Sequence, residues 1–165
     1  MSFELLSLSD GSSELLKKHA VDELIMCNGY TEQYGITISR EAAAALVETR
    51  EYSLIRYGRI EFGGGVIEKI IKAFCDSPYI GNHNYEQTLH ELIEYFYYYK
   101  NETMGMVSDD DLISFMKSSF DGVCRGSLEL LSGRELYNLA EAIKRGQSAV
   151  GLHEEFRLNE EEHDE

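Results

Sequence analysis

Glu86, His90 and Glu94 stand at four-residue intervals, with His83 just upstream, so on a helix the three side chains form one row. Carboxylate and imidazole at that spacing can hold a divalent cation when another helix completes the ligand set. Neither His-Glu-x-x-His nor a paired Glu-x-x-His occurs, and the row lies opposite the apolar side of its own helix. A solvated polar face is the plainer account. A second group comprises Arg50, Arg59 and the glycines Gly63, Gly64 and Gly65. Arg50 falls inside an apolar helical stripe. There a guanidinium either packs its stem on the core and reaches solvent or a structural carboxylate, or binds an anion in a pocket. Three bare glycine amides ahead of a helix can cradle an anion. Yet the Lys-Ser/Thr of a phosphate loop is missing and Glu61 would oppose a phosphate, so a tight interhelical turn explains them better.

Nucleophilic chemistry has less to stand on. Cys27, Cys75 and Cys124 are an odd number, widely spaced, which argues against a zinc knuckle or a disulfide framework and for buried reduced thiols. Cys124, beside Arg125, is the one thiol whose neighbour could lower its pKa. The stretch from Asp121 imitates a calcium loop, with Gly126 in sixth place. It fails at the ligands, because Val123, Arg125 and Ser132 stand where oxygen donors and a bidentate Glu belong. Asp109, Asp110 and Asp111 follow Ser108 and read as the acidic first turn of a capped helix.

The element that must position these groups is the helix predicted from Asn84 to Lys100, with Tyr85, Leu89, Leu92, Ile93, Phe96 and Tyr99 on one stripe. Asn84 and Gln87 have capping-box spacing. Tyr95 to Tyr99 spread around the whole circumference, which suits a helix enclosed by neighbours or lying in an interface. Other helices are expected from Ser12 or Ser13 to Cys27, from Arg40 to Tyr57 behind Ser39, and from Val66 to Cys75. Two more are expected behind Ser108 and behind a second capping box at Ser132 to Glu135. The segment from Tyr34 to Ile38 is too short for more than an extended link or one small strand, and Pro78 ends the helix before it.

With 165 residues, 43% hydrophobic and 27% charged, the chain suits one globular domain with a real core. These features predict an all-α bundle of about six helices over residues 1–151. The acidic stretch 152–165, with seven carboxylates against Arg157, is expected to be disordered. A formal net charge of −15 repels nucleic acid and anionic membrane surfaces. No apolar run is long enough to span a bilayer and no secretion signal is visible, so a cytoplasmic protein is expected.

At Arg59 to Gly64, Asp76-Ser77-Pro78-Tyr79, Phe96 to Glu102, Ser108 to Leu112 and Gly126-Ser127-Leu128-Glu129, the chain resembles a family of small uncharacterised bacterial proteins. The resemblance implies a bacterial cytosolic protein without an assigned activity, and supplies no catalytic residue. The reading from the residues themselves is a non-catalytic protein-binding or assembly module without a cofactor. Tyr95, Tyr97 and Tyr98 would contact a protein partner or a second copy. The alternative is a metal-dependent or small-molecule enzyme at Glu86, His90 and Glu94, or near Arg50 and the triglycine turn.

Overall fold

A computed structural model describes residues 3–147 of the chain. Helix α1 runs Phe3–Met26, well ahead of the start expected at Ser12 or Ser13. A single turn, α2 (Asn28–Thr31), and a 3-10 turn (Glu32–Tyr34) lead to an extended link that pairs with no strand among the described residues. Asn28 clamps that link, its amide donating to Ile38 O and its carbonyl accepting from Ile38 N, both at 2.9 Å. Ser39 then caps α3 (Arg40–Tyr57), accepting from Ala42 N, because its short side chain satisfies an amide the helix leaves unpaired.

Next come α4 (Gly65–Phe74), α5 (Tyr85–Glu102) and α6 (Asp109–Asp121), the last capped by Ser108 as expected. The chain ends its described part in one continuous helix of three stretches: α7 (Leu128–Leu130), a π-helical stretch (Leu131–Leu136) and α8 (Tyr137–Lys144). The result is an all-α, single-domain bundle of six principal helices, with no strand among the described residues. Helix α5 is its axis, touching α3, α4, α6, α7 and α8. Leu89, Leu92, Ile93 and Phe96 are fully enclosed on it, meeting Ile67, Ile70, Phe74, Leu112 and Met116 in one core.

Both predicted capping boxes are corrected. Asn84 precedes α5 but leaves its first amides alone; its side chain instead closes the Pro78 loop, accepting from Gly81 N at 2.8 Å and donating to Tyr79 O. A nearer partner within the loop outcompetes the cap. Ser132 starts no helix, because Ser127 caps the segment earlier and the π-helical stretch runs straight through Ser132. The Asp121 turn is a tight reversal in which Gly126, at φ +80°, donates to Phe120 O at 2.7 Å. A Cβ there would come within 2.5 Å of Tyr79, so only glycine fits. The acidic stretch 152–165 lies outside the described residues.

Candidate functional site

The triglycine turn forms around a carboxylate that the sequence presents as an obstacle. Glu61, its side chain 8% exposed, accepts from Arg59 Nε at 2.9 Å, from the Tyr97 hydroxyl at 2.5 Å and from Val66 N at 2.9 Å. Arg59 reaches on to Asp109 with both terminal nitrogens, and Lys100 meets Asp109 at 3.0 Å. The chain Tyr97–Glu61–Arg59–Asp109–Lys100 thus ties the turn to α5 and α6. Hydrogen bonds from Arg59 are the main reason the Asp109 carboxyl is held below its ordinary value, outweighing burial. Burial first, and the Glu61 charge second, push the Tyr97 phenol far up, so it stays a donor.

Two amides of this turn, those of Gly64 and Val66, are taken by the protein itself. Glu23 of α1 accepts from Gly64 N, and Glu61 from Val66 N, so two carboxylates sit where α4 presents its positive end. A Cβ on Gly63 would stand 2.4 Å from Glu23 Oε2, and one on Gly65 2.5 Å from Glu61 Oε1. Gly63 and Gly65 are favoured first by their left-handed backbone, at φ +60° and +49°, which other residues rarely adopt. Arg50, 2% exposed, donates through Nη1 to Gly63 O at 2.7 Å.

The second candidate lies between α3 and α5, an open groove of about 800 Å³. Tyr52, Tyr57, Tyr95 and Tyr98 line it with Glu48, Arg56, His90 and Glu94. Tyr52 is 69% and Tyr98 45% exposed, and the Arg56 guanidinium already lies 5.5 Å from the Tyr57 ring centre. At the groove floor the Thr49 hydroxyl lies 3.1 Å from Ala45 O and pairs with His90 Nδ1 at 3.0 Å. The tyrosine cluster therefore divides. Tyr95 and Tyr98 face the groove, whereas Tyr97 is buried and bonded to Glu61, which corrects its expected place beside them. Tyr99 is also inside, donating to Ser132 O at 2.6 Å and so tying α5 to the π-helical stretch.

Of the predicted metal row, His90 and Glu94 share the groove, while Glu86 is exposed nearer the start of α5 and outside its lining. Among the described residues no three His, Cys, Asp or Glu side chains gather closely enough to hold a metal ion. The thiols are buried and free. Burial raises all three, Cys124 to about 11, and Arg125 on the exposed turn does not offset it. Sequence reasoning missed Glu61, Glu23, Asp109 and Lys100 as one assembly. The visible signal was a lone acid between Ile60 and Phe62, an unusual place for a solvated carboxylate.

No helix among the described residues is long and apolar enough to cross a membrane. No curated protein and no solved structure matches the chain. A family profile does match, over residues 23–149, a span that holds every groove residue and the whole Glu61 network; the chain belongs to DUF6323, a family of unknown function.

Proposed function

We propose that the protein is a non-catalytic protein-binding module of the bacterial cytosol whose α3/α5 groove receives a basic segment of a partner protein. The supporting observation is the groove itself, which Tyr52, Tyr95 and Tyr98 line together with the carboxylates of Glu48 and Glu94. Tyrosine gives large, rigid contact area at low entropic cost, and its ring face attracts cations. The Arg56 guanidinium against Tyr57 is an internal instance of that contact. Charge selects among occupants: with −15 on each chain a second copy is repelled, whereas an arginine- or lysine-bearing segment is drawn in.

Acetylated, amidated triarginine serves as the probe and triglutamate as its control. The chain has eleven tyrosines, four of them on the groove, and no tryptophan, so intrinsic tyrosine fluorescence responds to an occupant there. Saturable binding of triarginine, weakened about tenfold or more by Tyr98→Ser or Glu94→Lys, supports the reading. Binding that both variants leave unchanged reflects the net charge alone and overturns it.

A further inference from the structure

Arg50 carries a feature that the Glu61 network does not explain. Its Nη1 is spent on Gly63 O, but its Nε is buried and has no hydrogen-bond partner among the described residues. An unsatisfied buried donor is costly and rare, and on a guanidinium the cost is that of a charged group. Nε belongs to the edge of the guanidinium that takes a carboxylate with two parallel donors. Arg50 also lines a cavity of about 240 Å³ bounded by α1, α3 and the turn before Gly63.

The walls of that cavity select among anions. Leu16, Leu54 and Phe62 supply apolar surface, and at its edge Ile55 and Ile60 are 81% and 80% exposed, an unusual placement for such side chains. Glu51 and Glu61 also line it and disfavour a dianionic phosphate. We infer that this cavity binds a small organic monocarboxylate with an aliphatic body, its head on Arg50 and its chain running over Ile55, Ile60 and Phe62. The protein's net charge does not forbid this. At physiological salt, fields fade over roughly 8 Å, so the groups on the cavity wall decide, and there Arg50 and Arg59 offset Glu51 and Glu61. The site is separate from the α3/α5 groove and stands whether or not that groove binds a protein.

The test follows the Arg50 Nε–Hε resonance of the full chain by ¹⁵N-resolved NMR during titration with octanoate. Acetate supplies the head alone, octanol the chain alone, and phosphate the competing anion. A saturable octanoate shift, at least about tenfold tighter than acetate, is expected because several methylenes leave water. Phe62→Ser, at an exposed position, keeps the fold and weakens octanoate severalfold. An unmoved Arg50 signal, or one that moves equally with octanoate and phosphate, overturns the inference. Octanol matching octanoate also overturns it, because the guanidinium then plays no part.

Discussion

The triglycine turn and the α3/α5 groove are both crowded with residues that could do chemistry, and they use them in opposite ways. Around the turn the charges face inward. Glu23 and Glu61 cover the amides of α4, Arg59 and Lys100 meet Asp109, and Tyr97 closes on Glu61. In the groove, Tyr52, Tyr98 and the carboxylates of Glu48 and Glu94 are left exposed. Conspicuous residues are therefore a poor guide to function by themselves. What separates the two regions is whether the valence of each group is already spent inside the molecule, and Arg50 is the exception on the closed side.

Breaking the closed side at its hub has the largest expected effect. Glu61→Ala strands the Arg59 Nε, the Tyr97 hydroxyl and the Val66 amide together, and should cost about 3 kcal/mol or more, as removal of one partner from a buried ion pair does. Urea unfolding measures it. A loss below 1 kcal/mol, on the order of an exposed pair, would mean that the network is ornamental. Tyr97→Phe comes next, with an expected cost of about 2 kcal/mol for one hydrogen bond to a charged acceptor.

Much of the frame could be read before the structure, and the reasons are local. Ser39 and Ser108 act within three residues of themselves, so sequence spacing alone reveals them as caps. The central position of α5 follows from an apolar stripe broad enough to need neighbours on several sides. Glu61 was opaque because its partner Tyr97 lies 36 residues away, and Asp109 because Arg59 lies 50 away. Periodicity places a tyrosine on a helix face, but only the packing of α3 and the turn decides that Tyr97 goes in while Tyr98 stays out. Asn84 misled for a related reason. Its spacing to Gln87 was right, but the folded Pro78 loop offers its side chain a closer donor and acceptor.

Acid should loosen the closed side at Asp109 once its carboxylate takes up a proton. Its carboxyl is held below the ordinary value of 3.8, chiefly by Arg59, so its contribution is complete above that pH and is lost as pH falls through the depressed folded value. Asp109→Asn should therefore be less stable than the parent at pH 7 by about 1 kcal/mol, since the pair is partly exposed. The gap between them should close as pH falls below 3.8 and through that depressed value. A gap that persists in acid would show that shape rather than charge at position 109 is responsible.

The smallest effect on stability is expected on the open side, and it is the sharpest use of the contrast. Tyr97 and Tyr98 are neighbours of the same type on one helix, yet the first is 1% exposed and hydrogen-bonded, and the second lines the groove. Tyr98→Ser removes a ring that packs edge-on to Tyr99 at 4.9 Å between centres but otherwise borders solvent, so unfolding should shift by no more than about 0.5 kcal/mol. Triarginine affinity should fall at the same time. A variant that unfolds easily would make Tyr98 part of the scaffold and move the division between the two regions to the other side of that residue. One that is stable and binds normally would leave the groove as surface, because a ring with neither a structural nor a binding role has no reason to stand exposed beside Glu94.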